Sequence, residues 1–186
     1  GKIAPKSGRV KMVSELIDSA VMPGMQGGPL MHSIAGKAVA FAEALQPEFK
    51  VYCQQVVNNA QVLAHSLLDL GNELVSGGTD THVVLIDLSQ TGVTGKKAEN
   101  ILEQAGITTN KNMVPFDERG PMVTSGIRVG TPAMTTRGMG VEEMKKIAIL
   151  IHQVIQNIDN EDVISKVRQE VRELCASFPL YQEVSA

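Results

Sequence analysis

The chain has 186 residues, 43% of them apolar and 20% charged, with a formal net charge of −3. This length and composition indicate one globular domain, or one domain plus part of another, and they exclude an intrinsically disordered chain. The slight acidity argues against a nucleic-acid partner, and the lack of an apolar run of about 18 residues argues against a membrane span.

The two cysteines and four histidines predict neither a disulfide framework nor a metal site. Cys53 and Cys175 are too few for a disulfide-stabilised protein, so we expect two reduced thiols that pack as small apolar groups in a cytoplasmic protein. No histidine has the spacing of a zinc ligand. His32 begins a predicted helix and His82 a predicted strand, and we interpret both as structural residues.

The first 45 residues predict two loops and two helices. Residues 1–11 are rich in Lys, Gly, Ser and Pro and predict a loop, whereas residues 12–19 predict two helical turns. Residues 20–29 contain three glycines and two prolines, which indicates an irregular loop. Small apolar side chains over residues 30–45 then predict a buried helix that starts directly after this loop.

From residue 46 onward the pattern is that of an α+β unit. Pro47 and Gly71 bound an amphipathic helix. Strand patterns follow at 73–75 and 82–88, and the second is so continuously apolar that we expect both of its faces to be covered.

The remaining elements complete a predicted small sheet with helices packed on it. Residues 95–105 predict a helix, and short strands at 107–109 and 127–129 flank a long loop over 110–125. Two further helices are predicted, one after Gly140 and one capped by Asn160. We expect these helices to pack on a mainly antiparallel sheet.

The glycine-rich loop 24–29 is a candidate phosphate site. Neighbouring glycines let successive backbone N–H groups converge, and the N-terminus of the following helix adds partial positive charge. The alternative is a tight turn that only redirects the chain.

Residues 91–97 follow a strand and precede a helix, and they contain glycines and lysines, as a nucleotide-binding P-loop does. However, only two residues separate Gly92 from Gly95, and Lys97 stands where that motif has Ser or Thr. We therefore interpret this segment as a strand-to-helix turn with a solvated lysine pair.

Arg128 lies in the middle of an apolar strand pattern, with glycines at 126 and 130. Its planar guanidinium matches a carboxylate bidentately, and the glycines allow a ligand to approach closely. A structural ion pair with an acidic residue is the alternative. Residues 110–112, Asn-Lys-Asn, offer amides suited to a heterocycle, although these are also ordinary turn residues.

Six collinear motifs carry a resemblance to a known family. They are DSAVMPG (18–24), QGGP (26–29), IAGKAVA (34–40), SGGTD (76–80), NKN with VP (110–115), and TSGIR continuing to RG (124–138). In these motifs the chain resembles the C-terminal part of serine hydroxymethyltransferase, a pyridoxal 5′-phosphate (PLP) enzyme. The implied overall fold is α/β and aspartate-aminotransferase-like (PLP fold type I). Residues 1–45 would be the tail of its large PLP-binding domain, and residues 46–186 its small C-terminal domain, α+β with helices on a mostly antiparallel sheet.

The resemblance implies reversible transfer of a one-carbon unit from serine to tetrahydrofolate, giving glycine, with PLP as the electron sink. It implies that Arg128 binds the substrate carboxylate, and that the backbone of Gly27 and Gly28 binds the cofactor phosphate of a neighbouring subunit. Asn112 is similar to the asparagine that contacts the pteridine of folate. Ser125 is expected in the same folate site.

Two departures from the family pattern affect these expectations. Met22 replaces a Phe that the family commonly places near folate, so we expect altered folate packing without loss of binding. The Thr-His-Lys motif with the Schiff-base lysine does not occur in the chain. We therefore expect that lysine upstream, no catalytic residue in this chain, and no activity from this chain alone.

The expected partners are serine or glycine and folate, within a homodimer or tetramer of the intact enzyme and without nucleic acid or membrane. Two other readings stay open at this point. The chain could be a non-catalytic folding or dimerisation domain, or part of a related PLP-dependent aldolase.

Overall fold

A computed structural model of the chain describes residues 2–3 and 8–180. The chain divides between Gln46 and Pro47 into two compact units. Among the described residues, no helix combines the length and the apolar character needed to cross a membrane.

The first unit consists of a short strand pair and two helices. Strands β1 (Lys2–Ile3) and β2 (Val10–Lys11) pair antiparallel, which differs from the loop predicted over residues 1–11. Helix α1 (Val13–Ser19) follows, as predicted for residues 12–19. The chain then makes a wide helical turn over Ala20–Met25, with extended backbone at Met22.

Helix α2 (Met31–Ala44) lies where the apolar pattern predicts a helix, but none of its residues is buried. Its exposed side chains include Ile34, Val39 and Phe41. Small apolar residues predict burial because they are costly to leave in water. Within residues 2–3 and 8–46 no layer covers this helix, so composition predicted the helix correctly, whereas its predicted burial is not seen in the described part of the chain.

The second unit is a layer of helices on an antiparallel sheet of four strands. The sheet order is β3-β4-β6-β5, and every neighbouring pair is antiparallel. This confirms the predicted helices on a mostly antiparallel sheet. The elements are α3 (Pro47–Asp69), β3 (Glu73–Leu74), β4 (Val83–Asp87), α4 (Gly95–Gln104), β5 (Asn110–Asn112), β6 (Gly126–Gly130), α5 (Pro132–Thr136), α6 (Val141–Gln156) and α7 (Glu161–Ala176).

The two faces of the sheet differ in burial. On β4 the exposure alternates, so Val84 and Ile86 are buried while Leu85 is only half-buried. Their cross-strand partners on β6 alternate in the same way, with Ile127 buried and Arg128 exposed. The expectation that both faces of β4 are covered is therefore wrong. Four successive apolar side chains, from Val83 to Ile86, conceal the two-residue period that distinguishes a one-sided sheet.

Two local predictions also differ from the structure: one strand is displaced along the chain, and one helix was not predicted. The strand predicted at 107–109 is displaced to β5 (Asn110–Asn112), because pairing with β6 places Asn110 opposite Arg128. Ile107 and the two threonines after it favour a strand by propensity, but propensity yields to the available partner. Helix α5 is absent from the prediction, although Pro132 at its first turn is a recognised start signal.

The core of the second unit lies between the sheet and helices α3, α4, α6 and α7. Its fully buried large side chains include Leu63, Leu67, Val84, Ile86, Leu102, Ile127, Met144, Ile151, Val154 and Val167. Cys175 packs partly against this core, whereas Cys53 is exposed, so the expectation of a packed Cys53 is wrong.

Asn59 is a fully buried polar residue within helix α3. Its amide nitrogen donates to Thr135 Oγ1 at 2.9 Å and to the carbonyl of Met139 at 3.0 Å, and its Oδ1 accepts from Gln55 Nε2 at 2.8 Å. These bonds join α3 to α5 and to the segment between α5 and α6. Buried polar networks of this kind specify one packing arrangement when every member is bonded.

Replacing Asn59 by alanine is expected to lower the free energy of unfolding of the chain by about 2–3 kcal/mol, because it leaves buried polar groups without partners. Urea denaturation measures this change. The control is Asn58→Ala, one position earlier in α3, where the side chain accepts a surface hydrogen bond from Gln54 Nε2 and no other from residues 2–3 and 8–180. Equal effects for the two variants would contradict the assignment.

Candidate functional site

The exposed face of the sheet carries the strongest of the predicted site residues. Arg128 lies at the middle of β6, between Leu85 on β4 and Asn110 on β5. Its side chain is exposed, and no ion pair to it occurs among the described residues, whose five ion pairs involve other cations. The structural ion pair considered for Arg128 is thus not seen in the described part of the chain. Its guanidinium is available to a ligand.

Asn112 lies close to Arg128 on the same face of the sheet. It pairs across the strands with Gly126, and Asn110 pairs with Arg128, so Asn112 and Arg128 are diagonal neighbours. Residues in this relation are about 7–8 Å apart, with their Cβ atoms somewhat closer, so both side chains can contact one small ligand. The amide nitrogen of Asn112 donates to the carbonyl of Met113 at 2.7 Å, which fixes the orientation of the side chain.

Gly126 is required by close packing within the protein. A Cβ at this position would lie 2.7 Å from Val114 Cγ1 and 2.9 Å from the carbonyl oxygen of Ile86. The sequence suggested that this glycine admits a ligand. In the structure the space is taken by Val114, which packs directly on the strand and is itself buried.

Ser125 is buried immediately before β6, and both of its hydrogen-bond donors bind one carboxylate. Its hydroxyl donates to Asp117 Oδ1 at 2.6 Å, and its N–H donates to Asp117 Oδ2 at 2.8 Å. The same carboxylate accepts the N–H of Arg119 at 2.9 Å and that of Val114 at 3.3 Å. We name this set of four donors and Asp117 the Asp117 clamp. A role of Ser125 toward folate stays a prediction.

The Asp117 clamp was not predicted from the sequence. An Asp two residues after a proline in a long loop is a usual turn residue, and this was the only available signal. The hydrogen bonds, led by that from the Ser125 hydroxyl, lower the pKa of Asp117 from 3.8 to about 2. The clamp therefore holds an ionised carboxylate throughout the neutral range.

Because the pKa of Asp117 is lower in the folded chain, its ionisation stabilises the fold above its ordinary pKa, and this contribution disappears as the pH falls toward about 2. The melting temperature, measured from pH 6 to pH 2.5, should decline below about pH 4, and the decline should be smaller in Asp117→Asn. Parallel declines in the two proteins would show that the bonds of Asp117 do not persist in solution.

The loop between β5 and β6 presents apolar side chains to solvent while its backbone is held. Phe116 is fully exposed at a φ of 59°, which is unfavourable for a bulky residue, and Met113 and Met122 are also exposed. Besides the Asp117 clamp, the side chain of Arg119 donates from Nη1 to the carbonyl of Val93 at 3.0 Å. The loop is thus fixed to the strand-to-helix turn before α4.

A second carboxylate, that of Glu99, fixes the position of β5. Glu99 on α4 accepts the backbone N–H of Lys111 at 3.0 Å and its ammonium at 3.1 Å. The backbone hydrogen bond is the main cause of the lowered pKa of Glu99. Lys111 is therefore used to position the strand that carries Asn112.

Residues 91–97 form the strand-to-helix turn that the sequence favoured over a nucleotide site. Thr94 caps α4 by accepting the N–H of Lys97 at 3.1 Å, and the ammonium of Lys97 pairs with Asp159 at 2.6 Å.

In the described ranges, 2–3 and 8–180, no three His, Cys, Asp or Glu side chains are grouped so that they could hold a metal ion.

The first unit contains the predicted phosphate-binding glycines. A Cβ at Gly27 or Gly28 would meet no atom within 4 Å, and neither N–H bonds to a carbonyl in the described part of the chain. Both precede α2, so donors and space for an anion are present. Met22, which precedes them, has an exposed side chain.

The comparison with known families identifies the chain. A family model described as serine hydroxymethyltransferase matches residues 2–151. This range is most of the chain, and it includes Met22, the two glycines and the residues on the exposed face of the sheet. The chain therefore belongs to the serine hydroxymethyltransferase family.

Proposed function

We propose that the intact protein is a PLP-dependent transferase of one-carbon metabolism that interconverts serine and tetrahydrofolate with glycine and methylenetetrahydrofolate. Family membership supports a serine hydroxymethyltransferase-type function, and the fold is the α+β C-terminal domain of PLP fold type I enzymes. The observation that carries the proposal is Arg128, exposed and without an ion pair among residues 2–3 and 8–180, beside Asn112 on one sheet face.

Arg128 is proposed to bind the carboxylate of the amino-acid substrate. A guanidinium makes two parallel hydrogen bonds to a carboxylate, which fixes both the position and the orientation of the amino acid. Because β6 is paired on both sides by β4 and β5, the backbone of Arg128 is held rigidly. A rigid strand positions a binding group more accurately than a loop does.

Asn112 is proposed to contact the pteridine of folate, with Ser125 and Met22 as further members of the folate site. An amide can donate and accept at once, as the edge of a heterocycle requires. Ser125 already donates its hydroxyl to Asp117, so it contributes to the site through the position of its strand. Met22 is flexible and apolar, which suits packing against a ring system.

Gly27 and Gly28 are proposed to hold the phosphate of PLP through their N–H groups, in the site of a neighbouring subunit of a homodimer or tetramer. PLP, when bound, supplies the electron sink that makes cleavage at the α-carbon feasible. No Thr-His-Lys motif occurs in the chain, so we expect the lysine that binds PLP upstream and no activity from this chain alone. A cytoplasmic location stays a prediction.

Gly27→Ala and Gly28→Ala are expected to weaken PLP binding by about tenfold or more while leaving the thermal stability of the chain nearly unchanged. A methyl group at either position meets no atom within 4 Å among residues 2–3 and 8–180, so a loss of PLP affinity is expected to come from the approaching ligand. PLP affinity is measured by spectroscopic titration of the intact protein. Gly36→Ala is the control, since it also meets no atom. Unchanged affinity in both variants would remove these glycines from the site.

The decisive experiment is an assay of the intact protein with serine, with and without tetrahydrofolate. Folate-dependent formation of glycine supports the proposal. Glycine formed from serine at the same rate without folate would indicate a PLP-dependent aldolase. No reaction under either condition, with PLP bound, would indicate a protein that has lost the chemistry and would contradict the proposal.

A further inference from the structure

The connection between β5 and β6 leaves one strand just after Asn112 and enters the other just before Gly126. These two residues face each other across the strands. Long connections are ordinarily the mobile parts of a fold, because ordering their backbone is costly in entropy. A site built from both strands therefore needs something that holds the connection in one conformation.

The Asp117 clamp spans this connection. Its donors include the backbone of Val114, two residues beyond Asn112, and both the backbone and the hydroxyl of Ser125, one residue before Gly126. One carboxylate thus joins the end of β5 to the start of β6. Each oxygen of this carboxylate accepts two hydrogen bonds, so the clamp needs both oxygens.

We propose that Asp117 is a positioning residue, which sets the relative placement of Asn112 and Arg128 and thereby the binding of both substrates. This inference rests on the proposed function of these two residues. Asp117 itself touches neither substrate in this proposal. It acts through the backbone at Val114 and Ser125, as supporting groups do when they orient a binding residue by hydrogen bonds.

Asp117→Asn is the informative substitution. Asparagine has the same shape but offers one oxygen acceptor and an NH2 group, which would face either the Ser125 hydroxyl and Arg119 N–H or the N–H groups of Ser125 and Val114. In the first orientation the Ser125 hydroxyl can turn to accept from the NH2 group, but the N–H of Arg119 loses its acceptor. In the second orientation the N–H groups of Ser125 and Val114 lose theirs. Asp159→Asn is the matched control, because it neutralises a carboxylate that is exposed and, within the described part of the chain, paired only with Lys97.

The first readout is amide hydrogen exchange in the intact protein. We expect either the amide of Arg119 or the amides of Val114 and Ser125 to exchange about tenfold faster or more in Asp117→Asn than in wild type, according to which side the NH2 group takes. Asp159→Asn should leave these three amides unchanged. Unchanged exchange in Asp117→Asn would overturn the proposal, since the clamp would then not hold the connection.

The second readout separates positioning from general stability. In Asp117→Asn we expect KM for serine and for tetrahydrofolate to rise about fivefold to thirtyfold, with kcat and the PLP absorbance spectrum changed much less. The rise in serine KM should be smaller when Arg128 is already lysine, because coupled residues are not additive. Faster exchange with unchanged KM values, or fully additive effects, would leave only a structural role and overturn the proposal.

The two hypotheses fail in different ways. A wild-type protein that binds PLP but does not convert serine would contradict the proposed function, and the positioning role would fall with it. An active wild-type protein whose Asp117→Asn variant keeps both KM values would contradict the positioning role alone.

Discussion

Replacing Arg128 by lysine is expected to raise the KM for serine of the intact enzyme by roughly tenfold to a hundredfold and to lower its rate, with PLP still bound. Lysine keeps the positive charge but presents it as a single point, so it cannot make the bidentate pair with a carboxylate. The substrate would then be held less firmly and in more than one orientation, which reduces both binding and turnover.

The structure makes this a clean substitution. Arg128 is exposed and takes part in none of the ion pairs or side-chain hydrogen bonds of residues 2–3 and 8–180, so lysine there breaks no described internal contact. Steady-state kinetics with serine, together with a PLP titration, measure the effect. Arg168→Lys, at an exposed position of α7, serves as the control. A normal serine KM in Arg128→Lys would remove Arg128 from the site.

Much of the architecture of the second unit was predictable because local signals agree with its packing. Pro47 at the first turn of α3 and Asn160 before α7 mark helix ends, and the structure has helices at both places. The amide side chain of Asn160 accepts the N–H of Val163 at 3.3 Å, as a capping residue should. These signals act within one turn of helix, so a single sequence contains them.

Features that depend on distant partners were not predictable. The register that places β5 at Asn110–Asn112 is determined by β6, and the burial of Asn59 is determined by Thr135 and Met139. Neither relation leaves a periodic pattern in the sequence. Arg128 could be singled out because a charged residue within an apolar strand pattern needs an explanation. Asp117 could not, because an aspartate in a loop needs none.

Gly95 illustrates a residue whose importance appears only in three dimensions. It is the first residue of α4 and its φ is not positive, so nothing local requires glycine. Helix propensity alone predicts that alanine would stabilise this position by up to about 1 kcal/mol. In the structure, however, α4 begins against the start of β6. The N–H of Gly95 donates to the carbonyl of Thr124 at 3.0 Å, and that of Lys96 to the carbonyl of Val123 at 2.9 Å.

Gly95→Ala is therefore expected to destabilise the chain by about 3 kcal/mol, the opposite sign to the propensity effect. A Cβ at Gly95 would lie far inside van der Waals contact of Thr124 Oγ1 and of the backbone carbonyl oxygen of Gly126. The threonine side chain is buried and the carbonyl belongs to a paired strand, so neither can move without shifting β6. The free energy of unfolding from urea denaturation measures the loss.

The control for this prediction is Gly120→Ala, in the connection that meets the start of α4. A Cβ there would meet no atom within 4 Å, and we expect a change within about 0.5 kcal/mol. Because the displaced atoms in Gly95→Ala lie one and two residues from Ser125 and Arg128, the intact Gly95→Ala enzyme should also show a raised KM for serine. A variant as stable as wild type would mean that α4 and β6 do not approach as closely as described, and the support assigned to Arg128 would then have to come from elsewhere.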